Sequence, residues 1–451
     1  MPADALTESQ CREIFDRVVR AAQSAGARDV EAMIGSRAEA LTRFANNTIH
    51  QNVAEASRWL SVRIQMDGRT ARASANRFDD ETVRRTVEQA VALAKAVKPD
   101  PDLQPMTGPE PYTPVSRFHD STALTTPDIR GAAVKEAIDC VESAGQTAAG
   151  IYSTEQETES LFNSNGVARF HSETLAVFSI TAMAGDSSGW TKASATDRAG
   201  ISPASLARSA AQKARLSKTP RELPPGRYTV ILEPAAVLDL VGQIFGDFSA
   251  TAIADQRSFL TERIGTQLFG RNITIHDDVF HPFQAGSPYD GEGVPRKRLT
   301  LVADGVPTEI AYSRASARKA GVASTGHGLP LPNEIGEMPL NIVIAGGGAS
   351  LDEMIASTDR GILVTRLWYI REVDPYEKIM TGMTRDGTFL IENGSVVCGL
   401  RNFRFNQSVI ELLTNVEALS PSVRTSGEET FDMMVPAMKA HGFNFTEVTR
   451  F

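Results

Sequence analysis

The chain opens on a helical stripe. Thr7 and Gln10 stand at capping-box spacing, Ile14, Phe15, Val18, Val19 and Ala22 recur at helical intervals, and Gly26 ends the run. The period then shortens to two. Strands are predicted at 29–36 and 40–49, and Leu60, Val62, Ile64 and Met66 alternate strictly. Asp67-Gly68 supplies a hairpin turn before a strand at 70–76. A second helix is predicted over 80–97, with Val83, Val87, Ala90, Val91 and Ala94 on one stripe.

Residues 99–114 hold six prolines and predict an extended connector rather than a core element. After it the same order of patterns recurs. Thr126-Pro127 starts a helix to about 145. Strand patterns lie at 150–156, 158–163, 167–172 and 175–184, with Asn165-Gly166 as a hairpin signal, and Ser202-Pro203 starts a helix to about 216. Helix, antiparallel strands, helix, twice over, implies an α+β unit and not a doubly wound one. Pro224-Pro225-Gly226 marks the next boundary. Beyond it the pattern is mostly β, with strands at 227–233, 273–277, 298–303, 306–312, 341–345, 362–370, 378–384, 387–392 and 395–398. Hairpin turns are predicted at Asp304-Gly305, Asp386-Gly387 and Asn393-Gly394, and short helices near 235–248, 350–357 and 407–413. The expected organisation is an α+β N-terminal domain over 1–222 and a β-rich, barrel-like C-terminal domain over 223–451.

Composition narrows the function classes. Apolar residues make 41% of the 451 and charged residues 22%, ordinary for a chain that buries a core. The net charge of −9 disfavours general binding to nucleic acid or anionic lipid. Three cysteines, Cys11, Cys140 and Cys398, without CxxC spacing suit a reducing compartment. The first residues show no signal-peptide core and no window approaches 18 apolar residues, so a cytoplasmic protein without a membrane span is expected.

The candidate chemistry is sparse. Of seven histidines only His276 and His281 lie close together, and five residues apart on a helix puts them about 140° apart. Odd spacing on a strand points them to opposite faces, so the pair is a poor metal site. Gly346-Gly347-Gly348 lacks the Lys-Ser/Thr of a phosphate loop and predicts a tight turn. Asp277-Asp278 and Asp290-x-Glu292 sit among glycines, where acidic residues commonly shape turns. The cysteines predict buried, inert thiols. Thr325-Gly326-His327 is the segment that singles itself out, because glycines on both sides of a lone histidine allow close backbone approach. Thr325, Gly326 and His327, with Asp386, are the candidate cleft-lining residues. No catalytic and no metal-ligating residue is predicted in this chain.

Several stretches together resemble the TldD/PmbA (TldE) family. They are residues 41–51, LTRFANNTIHQ; Asn163 to Gly166 followed by 185–190, GDSSGW; 289–295, YDGEGVP; and Thr325-Gly326-His327. The most specific run from Gly361 to Arg366 and from Thr384 to Gly394, then through Arg404 to Ser408 and Val435 to Lys439. The resemblance implies an N-terminal α+β region, a β-rich C-terminal domain, and intracellular processing of peptides by a heteromeric metalloprotease. It also implies that the TldD chain supplies zinc through a His-Glu-x-x-x-His helix and a later cysteine. The corresponding segment here, Glu233 to Gly246, has no histidine. No zinc ligand carries over, and Leu238, Val241 and Phe245 instead form a packing stripe.

The resemblance therefore implies a TldE/PmbA-like, non-catalytic subunit with no cofactor of its own. Zinc is expected in a TldD-like partner, and the substrate is expected to be a peptide or small unfolded protein. One alternative is a free-standing homodimeric peptide-binding or scaffold protein. Another is an independent hydrolase that uses His327 with a cysteine or Asp386.

Overall fold

Thr7 accepts the Gln10 backbone N–H while the Gln10 side chain accepts the Thr7 N–H, so the predicted capping box starts the first helix, α1 (Glu8–Ser24). Its stripe of Cys11, Ile14, Val18 and Ala22 is buried. The computed structural model describes residues 5–449. Behind α1 come three strands, β1 (Asp29–Ala45), β2 (Thr48–Met66) and β3 (Arg69–Ala75), and then α2 (Asp80–Ala96). The short α3 (Asp120–Ala123) follows the proline-rich connector. The order then repeats as α4 (Pro127–Glu142), β4 (Thr147–Asn163), β5 (Ala168–Ala184), β6 (Ser187–Ala195) and α5 (Pro203–Leu216).

The two units share one six-stranded sheet in the order β3-β2-β1-β4-β5-β6, joined where β1 and β4 run antiparallel. The strands are longer than their sequence patterns suggest. Residues 29–45 form one strand rather than two, and the chain reverses at Asn46 and Asn47, both with positive φ (51° and 58°). Asn tolerates this conformation, so the pair makes a hairpin turn inside the stretch predicted as strand 40–49. Likewise 147–163 and 168–184 are each continuous. One helix pair, α1 and α2, buries Val30, Ala32, Ile34, Leu60, Val62 and Ile64 at one end of the sheet. The other, α4 and α5, buries Phe44, Tyr152, Phe178 and Ile180 at the opposite end. Each fully buried Val, Ile or Phe contributes about 1.5–3 kcal/mol, so the long strands are held at both ends and left thinly covered between.

The C-terminal half begins with β7 (Gly226–Leu232), α6 (Pro234–Val241), a 3-10 turn at Gly242–Phe248 and α7 (Ala250–Ala254). It continues through β8 (Ile275–Asp277), β9 (Leu299–Ala303), β10 (Val306–Pro307), α8 (Arg314–Ala320), β11 (Ile342–Ile344) and α9 (Leu351–Ala356). The last elements are β12 (Arg360–Asp374), β13 (Ile379–Glu392), β14 (Ser395–Gly399), β15 (Phe403–Ser408), α10 (Val409–Thr414), β16 (Val416–Leu419), β17 (Val423–Thr425), β18 (Met433–Val435) and β19 (Met438–Val448). Five strands close on themselves in the order β12-β7-β19-β15-β13 and back to β12, which is the expected barrel. A second sheet runs β10-β9-β8-β11-β18-β17. One face of the barrel strands shares a core with α6, including Val230, Leu232, Val364, Phe403 and Phe445. The other face, with Ile231, Leu363 and Phe389, packs on Met354 of α9.

Two local expectations change. Residues 306–312 give only a two-residue strand. Asp386-Gly387 is no hairpin turn: it is a bulge inside the continuous β13, where Asp386 and Gly387 of β13 stand opposite the single residue Thr365 of β12. Asp386 has φ 51° and Gly387 φ 141°, so the Asp-Gly chemistry serves a bend within a strand. Asp304-Gly305 and Asn393-Gly394 are hairpin turns as predicted. Among the described residues no helix is long and apolar enough to cross a membrane.

Candidate functional site

The segment that the resemblance aligns with a zinc helix is α6. Glu233 precedes it and Pro234 takes the first helical position, where no backbone N–H is needed. Every residue from Ala236 to Val241 is buried. Asp239 is the one ionisable side chain of the helix. Its Oδ1 accepts the backbone N–H groups of Glu428 (3.0 Å) and Glu429 (3.1 Å), and its Oδ2 has no hydrogen-bond partner among the described residues. Burial pushes this carboxyl up to about 6, against the lowering by the two backbone donors, and the Glu429 charge adds to the rise.

The loop of residues 425–430 lies on α6 as a cover. The Thr430 hydroxyl donates to the Leu238 carbonyl at 3.2 Å. A Cβ at Gly427 would sit 2.3 Å from Asp239 Oδ1, so only glycine lets the loop approach this closely. The N-terminal sheet holds the cover from the other side. Lys192 Nζ donates to the Gly427 carbonyl at 2.7 Å, and Ser194 bonds Asp432 at 2.6 Å. Glu429 in turn accepts the Tyr369 N–H at 2.7 Å. Zinc takes three or four nitrogen, sulfur or oxygen ligands, whereas α6 offers one carboxylate whose first oxygen is already committed. The donor set at this place does not fit the metal. Among the described residues no group of three His, Cys, Asp or Glu side chains is arranged to hold one.

Asp386 lies at the same junction between the sheet of β1–β6 and the barrel. Its Oδ2 accepts both Arg366 Nε (3.0 Å) and Arg366 Nη2, and its Oδ1 accepts the Ser188 hydroxyl at 2.6 Å. The Arg366 guanidinium stacks over Trp190 of β6 at 4.5 Å from the ring centre. Asp386 is thus a latch between the two halves, made of an ion pair, a hydroxyl and a cation–π contact.

Thr325, Gly326 and His327 are placed elsewhere and share no partner with Asp386. His327 Nδ1 lies 3.0 Å from the Thr325 hydroxyl. Its Nε2 is 3.1 Å from Asp277 Oδ1, close enough for an ion pair but off hydrogen-bond alignment. Both side chains are buried. Burial alone would raise the Asp277 carboxyl, and the opposing pull of His327, Arg296 and the Asn341 N–H leaves it lowered. The loop of 289–295 packs directly against this turn: Asp290 accepts the N–H groups of Gly328, Glu292 and Val294, and Glu292 accepts that of Arg314. Burial and the neighbouring Asp290 push Glu292 up to about 7. Thr325 is half-buried, and Gly326 and His327 are closed in by protein on every side.

Two features lie outside the predicted set. The first is a cavity of about 380 Å³ where Glu157, Glu159, His171 and Glu173 of the sheet face Arg296 and Arg424 of the C-terminal half. Burial, with Glu159, Glu155 and Glu173 close by, pushes Glu157 up to about 7. Its sequence signal is the period-two run Glu155-x-Glu157-x-Glu159, which puts three carboxylates on one face of a strand. The second is Gly-x-Ser-x-Gly at residues 185–189, the spacing of a nucleophile elbow. Here it makes the β5–β6 turn, and the buried Ser187 hydroxyl donates to the Ala184 and Ala214 carbonyls, with no histidine or carboxylate among its hydrogen-bond partners in the described residues.

Comparison with known proteins agrees with this layout. Three models match in order: PmbA/TldA metallopeptidase domain 1 over 30–94, the central domain over 122–218 and the C-terminal domain over 225–447. Metalloprotease PmbA of Escherichia coli O157:H7 is 23% identical over 406 residues, covering 85% of each chain. A metalloprotease TldD homolog of Buchnera aphidicola subsp. Acyrthosiphon pisum is 27% identical over 224 residues, covering 47% of this chain and 44% of its own. Among solved structures, TldE from Thermococcus kodakarensis superposes with a TM-score of 0.86 at 21% identity, covering 96% of this chain and all of that one. A putative modulator of a DNA gyrase from Thermotoga maritima gives 0.85 at 19% identity, covering 97% of this chain and all of that one. With models matched in sequence from residue 30 to residue 447 and PmbA similarity along most of the length, the chain belongs to the PmbA/TldE family.

Proposed function

We propose that this chain is a non-catalytic, TldE/PmbA-like subunit. It would act in the cytoplasm beside a TldD-like chain that carries the zinc, on peptides or small unfolded proteins. The observation that carries the reading is the state of α6. In place of ligands it presents Leu238, Val241 and a single carboxylate, and Gly427 and Thr430 lie directly on it. A chain built this way contributes shape and positioning. Its latch at Ser188, Arg366 and Asp386 fixes the N-terminal sheet over the barrel, which suits a rigid wall of a two-chain cleft.

The test is a cleavage assay on an unstructured peptide with this chain alone, with a TldD-like chain bearing the His-Glu-x-x-x-His motif, and with both plus a chelator. Cleavage is expected only from the pair and is expected to stop with chelator. Zinc-dependent cleavage by this chain alone refutes the reading. Metal content measured in parallel is expected to follow the partner chain.

A further inference from the structure

The two α-β-β-β-α units of the N-terminal sheet are alike in strand order but not in how their edges are finished. In the second unit β6 pairs with β5 only over residues 176–184. The first stretch of β5 does not stay bare. A segment of the connector runs beside it, where Arg117 bridges Glu173 in parallel register and the Thr174 N–H donates to the Arg117 carbonyl at 3.1 Å. The His119 N–H also donates to the Thr174 hydroxyl at 3.0 Å.

In the first unit β3 pairs with β2 only over residues 60–66. The matching stretch of β2, residues 48–57, has β1 on one side. On the other side no backbone group of the described residues meets it. At roughly 3.4 Å per residue this is about 30 Å of open strand edge. Native proteins usually blunt such an edge with charge, proline or a bulge. Here residues 48–57 contain one carboxylate, Glu55, and no proline, and their one bulge is at His50 near the hairpin end, which leaves 51–57 in regular register.

A groove of about 540 Å³ adjoins the edge, on the face that carries the helices and in the gap between the two helix pairs. Its floor is Ala38, Ala40, Ala54 and Ala56, and its wall includes Leu124, a large apolar side chain left 57% exposed. Side chains of a strand added beside β2 would alternate, and every second one would lie over Ala54 and Ala56.

We propose that residues 48–57 of β2 dock an extended peptide as a further strand of the sheet, with its alternate apolar side chains in the alanine-floored groove. The occupant is argued from the molecule itself. The equivalent edge of the second unit takes one extended segment of polypeptide, and backbone pairing is the common means of adding one. The inference rests on the reading that this chain handles peptides, and it names where on this chain a peptide would sit.

The experiment uses the full chain and a fluorescein-labelled hexapeptide of alternating valine and threonine, followed by fluorescence anisotropy. A twin peptide N-methylated at alternate residues lacks the donors for pairing. Ala56→Arg fills the groove from an exposed position, and circular dichroism checks that the variant is folded. Saturable binding is expected, weakened at least tenfold by N-methylation and by Ala56→Arg. Slowed hydrogen exchange is expected in residues 48–57. Binding indifferent to both changes places the peptide elsewhere and overturns this inference while leaving the proposed function standing. No binding by the chain alone also overturns it, and the two-chain cleavage assay then decides the proposed function separately. Exchange already slow in the free protein, together with a dimer that Ala56→Arg dissociates, assigns the edge to a second copy and refutes the peptide.

Discussion

Replacing Asp239 by Asn separates the two jobs this side chain does on α6. The amide oxygen keeps the acceptor that Oδ1 offers to the Glu428 and Glu429 N–H groups, while the buried charge disappears. The carboxyl moves from its ordinary 3.8 to about 6 on folding. At about 1.36 kcal/mol per pH unit that gap corresponds to about 3 kcal/mol. Because the folded value is raised, the folded chain binds the proton more tightly than the unfolded chain. Its contribution to stability is fully present below pH 3.8 and is lost as the pH rises through about 6. Above that the ionised carboxylate is a liability, since it sits beside Glu429 without a partner for Oδ2. Asp239→Asn is therefore expected to stabilise the protein by up to about 3 kcal/mol at pH 7.5 and by only about 1 kcal/mol at pH 4.5.

Urea unfolding at pH 4.5, 6.0 and 7.5, with the denaturant slope checked for constancy, measures the difference directly. A gain that grows from pH 4.5 to pH 7.5 supports the account. A loss of stability at pH 7.5, or a difference that does not vary with pH, refutes it. The first outcome would mean that the negative charge itself holds the 425–430 loop through Arg366 or Lys192. The second would mean that the effect is one of packing.

Three further substitutions test other parts of the structure. Glu31 is fully buried and paired with Arg63 (2.7 Å) and Arg72 (2.7 Å), so Glu31→Gln leaves one buried and one partly buried cation poorly matched and is expected to cost about 3–5 kcal/mol of stability, read from urea unfolding. Gly326 has φ 73°, and a Cβ there would meet the Pro295 carbonyl at 2.1 Å. Gly326→Ala is expected to lower the melting temperature by strain and displacement worth about 2 kcal/mol or more, and unchanged melting would show that the 289–295 loop is free to move. Asp386→Ala removes the acceptor of Arg366 and Ser188 at once. It is expected to cost about 2–4 kcal/mol and to speed proteolysis near the β5–β6 turn, and a protease pattern unchanged from wild type would argue against a latch.

What could be read from the sequence follows from how local each cause is. The capping box at Thr7 and the stripe of α1 need only neighbours three or four residues away, and both appear as expected. The doubled α-β-β-β-α order was legible because each unit repeats a pattern, although residue identities differ. Strand lengths were not. Arg37-Ala38-Glu39 interrupts the apolar run of β1, and only pairing with β2 and β4 on both sides keeps the strand going through it. Asp386-Gly387 carries the chemistry of a hairpin turn, yet β12 pairs across both sides of it and makes it a bulge.

The same division runs through the candidate site. That α6 lacks histidine is a local fact and needs no structure. That the place is covered is not local. The cover comes from residues about 190 positions later in the chain, and it is held by Lys192 and Ser194 from the other half. Gly427, Thr430 and Asp239 have no shared signal in sequence, because each looks ordinary until the loop lies on the helix. His327 shows the reverse. Its flanking glycines suggested room for a ligand, but Gly326 is needed because Pro295 approaches it and Gly328 because Glu292 does. Close approach was the correct inference from the glycines, and the chain itself is what approaches. A glycine pair around a polar residue therefore argues for contact, and only the burial of that contact tells packing from a cleft.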